Sequence, residues 1–161
     1  MKNREKELLF QLLRNSKLSD REIAKKLKTS QSTITRTRHK LENKFVQSYT
    51  IVPNLARLGI KLIAFTFGSC STPSDEKLEK LTDFIESHPN IVFAGQGEGI
   101  GKTGFMVSFH NDFSDYTDFM REARLQCKGY GETVESFIVS TDKLIKTLNM
   151  AKAVETLVRK E

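Results

Sequence analysis

Residues 19–41 read SDREIAKKLKTSQSTITRTRHKL, and this stretch decides the fold of the N-terminal part of the chain. Ser19 and Glu22 have the spacing of a capping box, in which the serine side chain accepts from the backbone of residue 22 and the glutamate reaches back to the serine. Ser30 can cap the helix that follows it. The two caps predict two helices joined by a tight turn.

The segments on either side complete a small helical domain. A first helix that stops near Asn15 is predicted by leucines on one helical stripe, namely Leu8, Leu9, Leu12 and Leu13. Residues 45–52 are rich in β-forming side chains and predict a short strand or wing. Three helices, the last two joined by a tight turn, make a helix-turn-helix domain, which we place at residues 1–52.

The third helix has a polar outer face. With Ile34 and Leu41 set inward at 100° per residue, Ser32, Arg36 and His39 point outward, and this face has no acidic residue. Such a face is typical of a helix that enters a groove of double-stranded DNA, although a merely solubilising surface remains the alternative. The residues predicted to contact DNA are Ser30, Gln31, Ser32, Thr33, Thr35, Arg36, Arg38, His39 and Lys40, with Lys25, Lys26 and Lys28 before them.

Charge is concentrated in the same part of the chain. The 161 residues carry 26 Lys and Arg against 20 Asp and Glu, a formal net charge of +6. Residues 1–50 hold 13 basic and 5 acidic side chains, a net charge of +8, and the rest is mildly acidic. This asymmetry favours a polyanionic partner for the N-terminal domain.

The remaining sequence predicts an α+β domain. Its pattern is strand (60–67), helix (from Thr72 through Ile85), strand (91–94), glycine-rich loop (95–104), strand (105–110), helix (from Asn111, ending before Gly129) and strand (134–139). This is the ferredoxin-like βαββαβ order, with both helices on one face of a four-stranded antiparallel sheet. We place a linker at 53–59, this domain at 60–141 and an amphipathic C-terminal helix at 142–161.

The first strand is apolar on both faces, so the helix-free side of the sheet is expected to be covered. A second copy of the chain is the simplest cover, because twofold dimers are the commonest oligomers. We therefore predict a homodimer.

No motif predicts catalysis, a metal or a cofactor. Residues 99–104 match G-x-G-x-x-G, but a strand follows where that motif needs a helix. The three histidines are far apart, and Cys70 and Cys127 form neither a disulfide framework nor a metal knuckle. The longest run without charge, 13 residues, is too short to cross a membrane. These features predict a cytoplasmic protein that is not an enzyme.

The sequence resembles the Lrp/AsnC family of transcriptional regulators. The resemblance is carried by residues 15–19, 22–27 and 30–36, with Leu41 and Glu42, and by the element order after residue 60. It implies a winged helix-turn-helix joined to a sensing and dimerisation domain. It also implies a dimer, often assembled into tetramers or octamers, that binds promoter DNA and responds to amino acids.

The chain departs from the family pattern at several positions. Lys28 replaces a glycine in the turn, and Arg38 replaces an apolar residue, so we expect its stem to pack inward and its guanidinium to reach a phosphate. Gly104 stands where an acid is frequent. We therefore expect any small effector, an amino acid or a related acid without an amine, to contact residues of the glycine-rich loop, namely Gly97, Glu98, Gly99, Gly101, Lys102 and Thr103. A loop that binds nothing and only closes the hairpin remains the alternative.

Two other functions remain open. Some proteins of this architecture resemble tetrapyrrole decarboxylases, which need Arg and His in a pocket. The chain could also be an oligomeric scaffold whose helix-turn-helix serves only for packing.

Overall fold

The computed structural model describes residues 1–69, 75–126 and 134–159. The chain divides into two compact units. The N-terminal unit comprises residues 1–52 together with the segment that starts at Lys146, and the sheet unit comprises residues 53–145. In chain order the elements are α1 (Asn3–Arg14), α2 (Asp20–Lys26), α3 (Gln31–Phe45), β1 (Leu62–Gly68), α4 (Asp75–Ser87), β2 (Ile91–Gly99), β3 (Lys102–His110), α5 (Phe113–Gln126), β4 (Val134–Ser140) and α6 (Ala151–Arg159).

The N-terminal unit is organised as its caps predict. The backbone NH of Glu22 donates to Ser19 Oγ at 3.3 Å, and the NH of Ser19 donates to the Glu22 carboxylate at 2.8 Å, which completes the capping box of α2. Ser30 caps α3 by accepting from the NH of Thr33 at 3.2 Å. The first three helices enclose an apolar core made of Leu8, Leu12, Ile23, Ala24, Ile34 and Leu41.

The wing is not formed as a strand. Helix α3 runs on to Phe45, and residues 46–52 have no regular secondary structure. A strand needs a second strand to receive its backbone hydrogen bonds. The described part of this chain places none beside that segment. Tyr49, Ile51 and Val52 are exposed, whereas Val46 packs against the core of the N-terminal unit.

The C-terminal helix is shorter than predicted. Residues 141–143 form one 3₁₀ turn, residues 144–150 are irregular, and α6 begins only at Ala151. Helix α6 packs on α1, where Phe10 is buried outside the main core with the guanidinium of Arg159 over its ring. Arg14 and Glu155 form an ion pair, and the Lys6 ammonium donates to the carbonyl of Val158 at 2.8 Å.

The sheet unit has the predicted order of strand, helix, strand, strand, helix, strand. The four antiparallel strands lie in the order β2-β3-β1-β4. Helices α4 and α5 pack against the same face of the sheet and form one core with it. This core includes Ala64, Met106, Phe119, Met120 and Phe84. The predicted cap of α4 at Thr72 and the end of α5 near Gly129 lie outside the described residues.

Aromatic side chains share the opposite face of the sheet. Strand register pairs Phe65 with Phe137, Phe67 with Phe105, and Ile63 with Phe109. None of these six side chains belongs to the helix-covered core.

The predicted glycine-rich loop is mostly sheet. Strand β2 continues through Gly99 and β3 begins at Lys102, so only Ile100 and Gly101 form the turn. Both have positive φ, 47° and 70°, which is the conformation of a two-residue hairpin turn. The two strands continue to pair along this segment, as Gln96 does with Gly104, and a Cβ at Gly95 would lie 3.1 Å from the Phe105 ring.

Candidate nucleic-acid interface

Helix α3 presents the predicted outward face. Its buried residues are Ile34 and Leu41, and one surface groove is lined by Gln31, Ser32, Thr35, Arg36, His39 and Lys40. All of these except Thr35 are exposed. A groove of hydrogen-bonding and cationic side chains without a carboxylate has the chemistry needed to contact base edges and phosphates.

The start of α3 carries a cluster of hydroxyl groups. Ser30 Oγ lies 2.7 Å from Thr33 Oγ1 and 3.1 Å from Ser32 Oγ. The N-terminus of a helix has unpaired backbone NH groups and a partial positive charge, so it favours an anion. These hydroxyls therefore lie where a backbone phosphate could be bound.

Three predicted lysine contacts lie on or just after α2. Lys25, Lys26 and Lys28 are exposed, and Lys28 has a φ of 50° in the turn before α3. A lysine in this left-handed region is strained, as expected from its place in a turn that glycine would relax. Hydrogen bonds from Ser19, and the nearby Lys26 and Lys25, hold the pKa of Glu22 below its usual value. That carboxylate is therefore ionised beside the lysines.

The guanidinium of Arg38 does not reach outward, contrary to the prediction. Its Nε lies 2.7 Å from Oδ1 of Asp20, and its Nη2 donates to the carbonyl of Leu18 at 3.0 Å. The stem packs inward as predicted, but the guanidinium binds within the N-terminal unit instead of reaching toward a phosphate. Thr35 is also engaged, because its hydroxyl donates to Asp20 Oδ2 at 2.6 Å.

The structure brings most of the predicted effector residues together at the tip of the β2–β3 hairpin. Gly97, Glu98, Gly99 and Lys102 line a cavity of about 210 Å³. Gly101 and Thr103 do not line it. The cavity wall also includes Phe67, Ile100, Gly104 and Phe105, which sequence reasoning missed. The pairing of Phe67 with Phe105 across β1 and β3 places them there, and that register depends on the folded sheet.

Lys102 is less accessible than predicted. Its side chain is only 8% exposed, and its Nζ lies 3.6 Å from a carboxylate oxygen of Glu135 on β4. A lysine in this environment offers its charge to a ligand only in competition with Glu135.

Sequence reasoning also missed a polar cluster around His110 on β3. His110 Nε2 lies 2.8 Å from Ser108 Oγ, and Nδ1 lies 3.3 Å from the side-chain nitrogen of Asn90. Burial lowers the pKa of His110, although Asp115 acts in the opposite direction. The imidazole is therefore a buried neutral group that completes internal hydrogen bonds.

Neither a metal-binding cluster nor a membrane-spanning helix is found in the described part of the chain. Within residues 1–69, 75–126 and 134–159, no three His, Cys, Asp or Glu side chains are grouped closely enough to hold a metal ion. In those same ranges, no helix combines the length and the apolar character that crossing a membrane requires.

Solved structures of transcriptional regulators share this fold. A regulator from Neisseria meningitidis in complex with L-methionine matches with a TM-score of 0.81 and 18% identity, over 92% of this chain and 95% of its own. An AsnC family regulator from Agrobacterium tumefaciens matches with a TM-score of 0.80 and 20% identity, over 94% of this chain and 99% of its own. AsnC of Escherichia coli matches with a TM-score of 0.74 and 17% identity, over 92% and 98% of the two chains.

This chain has the fold of these regulators. These structures support the resemblance to the Lrp/AsnC family at the level of the fold. No family model and no curated protein matches the sequence.

Proposed function

We propose that this chain is a sequence-specific regulator of transcription that binds double-stranded DNA through α3. The observation that carries the proposal is the exposed groove along α3, which is lined by hydroxyl, amide, imidazole and cationic groups and by no acid. Arg36 and His39 read base edges in the major groove. Lys25, Lys26 and Lys28 bind phosphates and set the orientation of the N-terminal unit.

The regulator acts as a dimer that joins two sheet units. The aromatic helix-free face supports this, because an apolar surface of this kind is usually covered by a partner. A second copy of the same face satisfies the isologous geometry of a twofold axis. Two N-terminal units then bind two inverted half-sites, separated by whole helical turns of about 10 bp each.

A small acid modulates the dimer by binding at the hairpin tip. The cavity beside Gly97, Glu98 and Gly99 supports this, since its glycine backbone leaves room for a ligand to approach amide groups. Phe67 and Phe105 add an apolar wall. Gly104 stands in the cavity wall where the resembled family frequently has an acid, and Glu98 lies on the other strand of the hairpin, so we propose a carboxylic acid without an amine over an ordinary amino acid.

The DNA proposal is tested by selecting duplexes from a random-sequence library with the full chain. Affinity for the selected duplex and for a shuffled duplex of the same composition is then measured over a range of salt concentrations. A regulator binds the selected sequence more tightly and loses affinity linearly with the logarithm of salt concentration. A scaffold binds neither duplex, and a tetrapyrrole-binding relative instead changes the visible absorption spectrum of an added haem-like pigment.

The effector proposal is tested separately by thermal-shift titration. The twenty amino acids and common 2-oxo acids are each added to the full chain, because a ligand that binds the native state raises Tm. Stabilisation by a 2-oxo acid supports the proposed chemistry. Tight stabilisation by leucine that Glu98→Gln leaves unchanged contradicts it.

A further inference from the structure

The carboxylate of Asp20, the first residue of α2, binds two side chains of α3. Its Oδ1 lies 2.7 Å from Nε of Arg38, and its Oδ2 accepts a hydrogen bond from the hydroxyl of Thr35 at 2.6 Å. The contact with Oδ1 is an ion pair by distance, because the buried Nε of Arg38 forms no hydrogen bond, whereas Oδ2 accepts the hydrogen bond of Thr35. The two helices of the tight turn are joined by one side chain in addition to their shared apolar core.

This contact is shielded from solvent. The side chains of Asp20 and Arg38 are each 19% exposed, and Arg38 is tied further by its hydrogen bond to the carbonyl of Leu18. A partly buried pair is screened less by salt than a surface pair. Removal of one partner leaves the other charge poorly compensated.

The two anchored residues lie one turn apart on α3. Thr35 and Arg38 are at i and i+3, so they share one side of the helix. Two anchors on one side resist both rotation of α3 about its axis and sliding along it. Arg36 and His39 follow Thr35 and Arg38 directly in sequence, so any rotation that the anchors prevent would turn these two side chains away from their present direction.

We propose that Asp20 is a positioning residue for DNA reading, which fixes α3 at the rotation that presents Arg36 and His39 outward. This inference rests on the function proposed above. It assigns Arg38 to the same contact between α2 and α3. Arg38 therefore contributes to recognition by pairing with Asp20 and does not bind a phosphate itself.

The test uses the duplex that the parent chain selects from a random library and a shuffled duplex of the same composition. Asp20→Asn is expected to lower the ratio of the two affinities by about tenfold, comparable to the loss of one base contact. Affinity for the shuffled duplex stays the same or rises, because a negative charge has been removed. A loss of folded protein alone lowers both affinities equally and leaves the ratio unchanged.

Two further variants make the result specific. Arg38→Met removes the other side of the contact with little change in stem length and is expected to lower the ratio similarly, whereas the double variant loses little more than either single one. Glu22→Gln is the matched control, because it makes the same charge change on α2 while glutamine still completes a capping box. It is expected to leave the ratio unchanged.

Two results overturn the inference while the proposed function stands. One is an unchanged affinity ratio in Asp20→Asn and in Arg38→Met. The other is that Arg38→Met weakens binding to both duplexes equally and reduces the salt dependence of binding by the amount expected for about one phosphate contact. That result would place Arg38 on the DNA backbone. If the parent chain binds no duplex, the proposed function fails and this inference fails with it.

Discussion

The guanidinium carbon of Arg159 in α6 lies 5.1 Å from the centre of the Phe10 ring in α1. Phe10 is 1% exposed although it is not part of the core that α1, α2 and α3 share. The same side of α1 carries Glu7, which pairs with Arg159 at 3.2 Å, and Arg14, which pairs with Glu155. The last helix of the chain is therefore a fourth helix of the N-terminal unit, attached around one buried ring.

Phe10→Ala is expected to detach α6. Loss of a buried phenylalanine should lower the free energy of unfolding of the N-terminal unit by about 3 to 5 kcal/mol. Arg159→Met is the matched variant, with an expected loss below about 1 kcal/mol, because the arginine side chain is 54% exposed and exposed ion pairs contribute little. Hydrogen exchange of the α1 and α6 amides checks both. Unchanged protection of α6 in Phe10→Ala would contradict the role given to the ring.

The helical caps could be predicted from the sequence because each is a local interaction. Ser19 and Ser30 find their partners three residues away, so the residue types and their spacing contain the information. The inward and outward faces of α3 follow from the helical repeat for the same reason. The contact between Phe10 and Arg159 joins opposite ends of the chain, and no local pattern indicates it.

The errors at the hairpin and at Arg38 have a similar cause. Glycines at 95–99 predict a loop when read alone, yet pairing with β3 keeps them in a strand. Arg38 stands where the resembled family has an apolar residue, and its stem packs inward as that position predicts. Only the folded arrangement of α2 and α3, however, brings the Asp20 carboxylate to its guanidinium. Pairing with a carboxylate on another helix therefore determines where the Arg38 guanidinium lies.

Arg36→Ala is expected to weaken binding of the selected duplex by about 1 to 3 kcal/mol, because an arginine on the outward face of α3 can contact a base edge with two hydrogen bonds. Lys26→Ala is the matched change for a phosphate contact. It should weaken selected and shuffled duplexes alike and reduce the salt dependence of binding. Titration of both variants with both duplexes separates the two roles. Equal binding of the selected duplex by Arg36→Ala and the parent would show that the reading face is misplaced.

Phe137→Ser is expected to convert a dimer into monomers of 18.4 kDa. Phe137 lies on the helix-free face of the sheet and is 69% exposed, so a polar side chain there disfavours burial against a second copy. Phe113→Ser is the matched control, since Phe113 on α5 is similarly exposed, at 62%, but lies outside the sheet. Sedimentation over a range of concentrations checks both variants. A parent chain that stays monomeric at every concentration would contradict the dimer.

Ile100→Asn is expected to stabilise the sheet unit by about 1 kcal/mol. Ile100 has a φ of 47° in the hairpin turn, where a β-branched side chain is strained, whereas Asn followed by Gly suits this turn. The isoleucine is exposed, so its removal costs little apolar burial. Val92→Asn is a comparison with the same polar change at an exposed strand position and should not stabilise. Thermal unfolding of the parent and the two variants measures the effect. A Tm of Ile100→Asn below that of the parent would contradict the strain assigned to Ile100.

Acidification is expected to destabilise the sheet unit through His110. Burial is the main cause that lowers its pKa in the folded state below the ordinary value of 6.5, and His88 acts in the same direction. As pH falls below 6.5 the unfolded chain takes up a proton that folded His110 resists, so the unfolded state binds more protons and the free energy of unfolding decreases. Above that pH the imidazole is neutral in both states and its contribution is constant.

His110→Gln should flatten this pH dependence, because glutamine keeps hydrogen-bonding capacity toward Ser108 and Asn90 but does not titrate. Its stability at neutral pH should be lower, since the ring contacts with Tyr116 and Phe119 are lost. His39→Gln removes an exposed histidine from α3 and serves as the control. Urea unfolding of the three proteins at a series of pH values checks the slope. If His110→Gln loses stability on acidification as steeply as the parent, the buried imidazole is not the group responsible, and the carboxylates of the sheet unit would have to account for the effect.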